Sequence, residues 1–506
     1  MKGAFGRAVF HTSFTVTDMS NTLDRRACLK SAFAAMSAAA VITPEIALAG
    51  AAPADWTLGV ADVDRDIAPH RMTRIHGRSP QDLAGVLYRN GPAKFLRGSS
   101  AAEHWFDGDG LMRRFALGEG EAMLSARFAE TPKRRQEAAA NAMIVPGFGT
   151  AAREGAVVEN PDDANAANTS VIKLGGELLA LWEGGSAVRM DAGTLETLGF
   201  KTFRDDLAYV PFSAHPRTEP DGSVWNFGWA GRSCVIWRIG ADGTLISADV
   251  ITLPRASYFH DFTMTKRHLI VVLQPWIQTS SYMPVVASLD WLPEQGTRIL
   301  VIDKDDLSRV RSFELPAFSA FHFADAWEEA DGTIRFDGCL QDDPSFGQVA
   351  AKELLRGRWA GVPHPVLNRI TLRSDGTATL EPTGHLAEFP TSDARRSGER
   401  RRLTVHVTGY GDAPFPHAVG AFDWDSGRDS VCDFGRDHLV EEFCYVPGNT
   451  AREEDGWLIG TTLNLKARAT ELHVLSAGRV AAGPIISWRS NVALPLTFHG
   501  SFVQAA

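Results

Sequence analysis

From about residue 80 onward, apolar positions come in short runs broken by glycine-bearing turns. Runs 171–173 and 178–182 flank Gly175-Gly176, runs 235–239 and 245–250 flank Asp242-Gly243, and runs 370–372 and 378–380 flank Asp375-Gly376. Gly-Gly and Asp-Gly between apolar runs predict tight β-hairpins, because such turns need residues that accept positive φ. Helical periodicity is nearly absent, apart from an N-terminal stretch and residues 348–355. No clean repeat and no composition break marks a linker. The chain beyond residue 49 divides into seven units of about 65 residues, enough for a loop-rich four-stranded blade, so a β-propeller is the natural closed all-β solution. Two β-sandwiches or a large barrel are the alternatives.

Composition narrows the classes. The 506 residues are 44% hydrophobic and 22% charged, with 46 Gly, 28 Phe and 13 Trp, which suits a globular chain rich in strands and turns. A net charge of −10 without long basic runs argues against a general electrostatic grip on nucleic acid. Five cysteines without C-x-x-C spacing indicate neither a disulfide framework nor a zinc ribbon. Residues 1–49 read as an export signal of twin-arginine type: Arg25-Arg26, then Leu29-Lys30, a mild apolar run over 31–43, and Ala47-Leu48-Ala49 as the cleavage site. Thirteen residues span about 20 Å as a helix, short of a bilayer's roughly 30 Å core. The expectation is a periplasmic mature protein over residues 50–506.

Four of the fifteen histidines stand apart, each in an aromatic or small apolar setting: His215 in SAHP, His260 in YFHDF, His322 in FHFADAWEE and His499 in LTFHGSF. They lie 45, 62 and 177 residues apart, so only distant blades converging on an axis could bring them together. Four neutral imidazoles would suit iron, zinc, copper or nickel. Taken singly, each is as easily a core residue.

The segments LYRNGPAKFLRG (87–98), HWFDGDGLMRRF (104–115), SAHPRTEPDG (213–222), YFHDFTMTKRHLIVVLQP (258–275), FHFADAWEEADGTI (321–334), EEDGWLIG (453–460) and LPLTFHGSF (494–502) occur in the order seen in the carotenoid cleavage oxygenases, which the chain resembles over about residues 80–505. The resemblance implies an all-β, seven-bladed propeller with an axial iron site and a loop-built cap over one face. It implies one Fe(2+) per chain held by His215, His260, His322 and His499. It also implies glutamates that orient three of the imidazoles: Glu183 for His260, Glu388 for His322 and Glu442 for His499, with Glu441 a neighbouring candidate for the third. Thr169 resembles a family threonine beside the open iron position.

The implied reaction is cleavage of a conjugated C=C bond by O₂ into two carbonyl products. A carotenoid or apocarotenoid is the expected substrate. Stilbene-cleaving relatives carry a lysine before the first glutamate to bind a phenol oxygen, and Trp182 stands here, so stilbene cleavage is the alternative. A non-catalytic propeller scaffold is a third reading. Trp105, Phe106, Trp182, Phe259, Phe321, Phe323 and Phe498 are the candidates for an aromatic substrate tunnel. Gly108-Asp109-Gly110 reads as a packing-critical turn rather than a phosphate loop, and His104 as structural or tunnel-lining.

Residues 275–297 form an unusually long connection with only Asp290 and Glu294 charged. Trp276, Ile277, Tyr282, Met283, Val285, Val286, Leu289, Trp291 and Leu292 make it either a lid whose apolar side chains bury one another or a tunnel mouth touching a lipid surface. The second reading predicts at least three of these side chains exposed as one patch.

Overall fold

The computed structural model describes residues 55–80, 83–280 and 283–505; the expected export signal lies outside them. Seven antiparallel sheets of four or five strands follow one another as the blades of a β-propeller. Between neighbouring blades lie seven apolar clusters, one per junction. Blades four and five, for example, interlock Ile270 and Val301 with Phe323 and Phe336. Blades repeated radially in this way cover one another's faces and leave only short, protected edges.

Both chain ends stitch the ring shut. Ile67–Arg71 pairs with Glu121–Phe128 in blade one, and after Met72 the chain passes to blade seven, where Thr73–Gly77 pairs with Ile486–Arg489. The last strand, His499–Gln504, returns to the inner edge of blade one beside Gly85–Asn90, in a register that sets His499 opposite Asn90.

The predicted hairpins form. Ser170–Leu174 pairs with Glu177–Leu181 across Gly175 (φ 57°) and Gly176 (φ 83°), the two positive-φ positions that a type I′ turn requires. Ser233–Ile239 pairs with Leu245–Thr252, and Val366–Leu372 with Ala378–Leu386. Residues 346–355 form a π-turn running into a short helix.

One helix departs from the sequence pattern. Pro132–Ala140 is capped by the Thr131 hydroxyl and ended by Asn141 in the left-handed region. Its buried face carries Lys133 and Glu137 rather than apolar side chains. Lys133 Nζ donates to Asp109 Oδ1 at 3.0 Å and to Glu137 Oε2 at 2.7 Å, so no hydrophobic period exists to be read. Asp109 sits in the predicted tight turn, where a Cβ on Gly110 would lie 2.1 Å from the Ala167 carbonyl oxygen.

Residues 275–297 fold as a small lid. Trp276–Gln278 pairs with Leu289–Trp291, joined through a 3-10 turn at Val285–Ser288. Trp276, Val286 and Leu289 are buried with Phe148, Tyr258 and Phe321, and Ile277, Met283, Val285, Trp291 and Leu292 are half-buried. None of the eight described apolar side chains is exposed, which corrects the expectation of a three-residue exposed patch. Burying the indoles against the aromatic residues below gains more than leaving them in water. Tyr282 falls outside the described residues.

Candidate metal centre and cavity

Each blade places one residue of interest on or beside its innermost strand. His499 opens the inner strand of blade one, and Thr169 precedes that of blade two, Ser170–Leu174. His215 and His260 precede Arg217–Thr218 and Phe262–Met264, the inner strands of blades three and four. His322 lies within Ser319–Phe323 of blade five, Glu388 opens Glu388–Thr391 of blade six, and Glu442 lies within His438–Val446 of blade seven. Residues hundreds of positions apart thus meet on one axis.

The ligand-capable nitrogens of His215, His260, His322 and His499 all lie within 4.8 Å of one another, and His215 Nε2 is 2.8 Å from His260 Nε2. The outer nitrogens are held by carboxylates. His260 Nδ1 lies 2.8 Å from Glu183 Oε1, His322 Nδ1 2.6 Å from Glu388 Oε2, and His499 Nδ1 3.0 Å from Glu442 Oε1. An N–H committed at Nδ1 leaves the Nε2 lone pair free, and such a bond fixes the tautomer and ring orientation. Glu441 turns elsewhere, accepting from Thr461 and Thr497.

The donor set fits a cation. His322 Nε2 is buried without a hydrogen-bond partner. Burial and the neighbouring imidazoles hold His215 well below the ordinary histidine range, and burial holds His499 down to about 4. Burial acts the same way on His322, but Glu388 outweighs it and raises that group. Neutral imidazoles crowded together, with the His322 Nε2 left without a partner, form a donor set that a metal ion would satisfy.

Above the imidazoles lies a cavity of about 1160 Å³, larger than the roughly 300–1,000 Å³ of most small-molecule pockets. Trp105, Phe106, Trp182, Phe321 and Phe498 line it, as do Thr169, His260, His322 and His499. The Thr169 hydroxyl lies 3.0 Å from Asn168 Oδ1. Phe259 and Phe323 do not line it. Phe259 stacks with Phe227 and Trp229 between blades three and four, its direction opposite to that of His260 next to it. Phe323 packs on Phe336, because the register shifts between Ala320 and Phe323 and turns only Phe321 toward the cavity.

Several residues escaped the sequence reading. Phe389 stacks on His322 at 4.9 Å between ring centroids, with φ of 52°, a strained value for a bulky residue. The Tyr258 hydroxyl donates to Glu183 at 3.1 Å. Asp107 accepts from the backbone N–H groups of Phe148, Gly149 and Thr150, which anchors the loop carrying Phe148 over the cavity. His104, for which the sequence leaves a structural or a tunnel-lining role open, is fully buried, bonds the Gly347 carbonyl at 2.8 Å and does not line the cavity, so it is structural. Only the HWFDGDG motif, which contains Asp107, hinted at these supports.

The sequence profile of the retinal pigment epithelial membrane protein (RPE65) family matches residues 60–504. The chain belongs to this family of carotenoid cleavage oxygenases. Apocarotenoid-15,15'-oxygenase from Synechocystis sp. is 28% identical, the match covering 89% of this chain and 96% of that protein. Lignostilbene-alpha,beta-dioxygenase isozyme III from Sphingomonas paucimobilis is 26% identical, covering 85% of this chain and 93% of that one. The cobalt-substituted Synechocystis apocarotenoid oxygenase superposes with a TM-score of 0.81 at 25% identity, over 89% of this chain and 98% of that one.

Proposed function

We propose that the chain is a non-haem Fe(II) dioxygenase that cleaves a conjugated C=C bond of a carotenoid or apocarotenoid with O₂, giving two carbonyl products. The observation that carries this reading is the meeting of four imidazoles, three oriented by Glu183, Glu388 and Glu442, on the wall of a large aromatic cavity. His215, His260, His322 and His499 would hold the metal. Bound there, iron supplies O₂ activation, which no side chain here can provide. The chain's own part is positioning. Phe106, Phe321 and Phe498 present apolar faces that fit a polyene and keep water out, and no side chain is required as acid or base.

Relatives that act on stilbenes leave a second substrate class to weigh. Trp182 precedes Glu183, and the only Lys or Arg lining the cavity, among the described residues, is Arg232. An indole cannot stabilise a phenolate as an ammonium does, so the polyene reading is favoured. Iron analysis of the purified protein and of the four His→Ala variants tests the centre. About one iron per wild-type chain and loss of iron in each variant is expected, whereas an iron-free wild type would favour a non-catalytic scaffold.

The Arg25-Arg26 and Ala47-Leu48-Ala49 signals support export to the periplasm with cleavage near Ala49. N-terminal sequencing of the mature protein tests this, and a retained residue 1 contradicts it. Peripheral membrane contact through 275–297 now rests on its half-buried Ile277, Met283, Val285, Trp291 and Leu292. Met283 and Val285 also line the cavity. Trp291→Glu lowers liposome binding if that contact exists, and unchanged binding removes it.

A further inference from the structure

The cavity has two sides. Blades two to four contribute Trp182, Tyr209 and Arg232, whereas blades five and six contribute Gln341, Glu388, Phe389 and Tyr410. On the second side three rings form a stack leading from the cavity wall toward the surface. Trp359 and His364 lie 5.4 Å apart at 10°, and His364 and Tyr410 lie 4.2 Å apart at 22°. His364 and Tyr410 both line the cavity. Trp359 is half-buried at the outer end.

Tyr410 is only 6% exposed, yet among the described residues no protein group hydrogen-bonds its hydroxyl. The hydroxyl is not sealed in the core either, since it is absent from the buried unpaired atoms and its residue opens on the cavity. A buried phenol ordinarily finds a partner, because leaving it unpaired costs free energy. Burial, with Glu388 next, pushes this hydroxyl well above the usual phenol range, so it is a donor at any physiological pH. Beside it, burial holds His364 below the ordinary histidine range, against the Ala413 carbonyl. A neutral imidazole has one donor and one acceptor nitrogen. The Gln341 side chain on the same side spends its amide nitrogen on the Pro363 carbonyl at 3.1 Å. Its amide oxygen is a further acceptor. Glu388, also on this side, accepts from His322 and the Phe389 N–H, and Phe346, Phe389, Pro414, Phe415 and Pro416 are apolar.

An apolar arm with one unpaired donor and two available acceptors is built to receive a single oxygen at the end of an otherwise apolar molecule. A hydroxyl suits it best, since it can accept from Tyr410 and donate to His364 or Gln341. A bare hydrocarbon end would strand the Tyr410 hydroxyl. We propose that this side of the cavity is an end-group subsite in which Tyr410, with His364, recognises a hydroxyl on the terminal ring or chain end of the polyene. Tyr410 and His364 are thereby specificity-determining residues. The inference rests on the polyene-cleavage reading and deepens it by naming the substrate class as polyenes hydroxylated at one end.

The test uses two polyene aldehydes that differ only in an end-ring hydroxyl. Their binding to the metal-free, full-length protein is followed by quenching of tryptophan fluorescence, so the readout does not depend on turnover. The wild type is expected to bind the hydroxylated compound about ten-fold more tightly, the equivalent of one buried hydrogen bond. Tyr410→Phe should bring that ratio to within about three-fold of unity. His364→Phe, which keeps a ring in the stack, should lower it in the same direction, and thermal melts of both variants report whether they fold. In the iron-loaded enzyme the same loss should appear in KM rather than kcat, because the hydroxyl lies away from the reacting bond. Equal affinities in the wild type, or an unchanged ratio in folded Tyr410→Phe, overturns the subsite. If the iron-loaded wild type cleaves both compounds despite equal affinities, the subsite falls while the cleavage reading stands.

Discussion

Glu388 and Glu442 orient different histidines and sit in different company. Glu388 accepts from His322 and from the Phe389 N–H, with no cation bonded to it among the described residues. Glu442 also takes the fully buried Arg89 guanidinium at 3.1 Å and the Gly500 N–H. Their amide variants should therefore fail differently. Glu388→Gln should weaken metal retention by roughly 10–100-fold with little change in melting, as loss of a ligand-orienting carboxylate usually does. Glu442→Gln should in addition destabilise the fold by on the order of 3 kcal/mol, because a buried arginine loses its counter-charge. Metal analysis beside denaturant unfolding separates the two, and equal stability losses would contradict this difference. The four histidines and three glutamates were legible through the family resemblance of the short motifs that carry them, since taken singly each is as easily a core residue or a surface charge. Phe259 and Phe323 were not placed correctly, since the face a residue takes depends on strand direction and on a bulge that spacing does not encode. Tyr410 and His364 carry no motif at all.

At the scale of elements, the loop over the cavity depends on one side chain. Asp107 accepts three consecutive backbone N–H groups, Phe148 at 2.6 Å, Gly149 at 3.0 Å and Thr150 at 2.7 Å, and the Thr150 hydroxyl at 2.7 Å. Asp107→Ala strands these buried donors. Hydrogen bonds to a charged acceptor contribute about 1.5–3 kcal/mol each, so even partial loss should release the loop. Faster amide exchange at Phe148–Thr150 and a raised KM are expected, and unchanged exchange there would show that the loop is held by its apolar contacts alone. Hairpins with Gly-Gly or Asp-Gly turns were legible because positive φ restricts residue choice. The helix at Pro132–Ala140 was not, because its buried face is ionic and leaves no apolar period. The 275–297 lid was legible as an apolar connection, but whether indoles face lipid or protein depends on what lies beneath them.

At the scale of the molecule, the propeller explains why the site can be assembled from seven distant segments. Inner strands converge on the axis, apolar junctions between blades fix their spacing, and both chain ends lock blade one and blade seven. Length allowed a seven-fold division but left sandwiches or a barrel open, and the resemblance of the motifs chose the propeller. The closure by residues 67–77 was not legible, because those short strands carry no strong pattern and the second of them, Thr73–Gly77, pairs with a strand more than 400 residues away. Among the described residues no helix is long and apolar enough to cross a membrane. On the proposed reading this ring holds iron beneath an aromatic cavity and splits a polyene there. Mass spectrometry of the products from iron-loaded protein, an apocarotenal and ¹⁸O₂ tests it most directly. Two carbonyl fragments whose carbons sum to the substrate should form only when iron is present and be lost in His260→Ala. An intact apocarotenal after incubation with protein carrying a full complement of iron would contradict it.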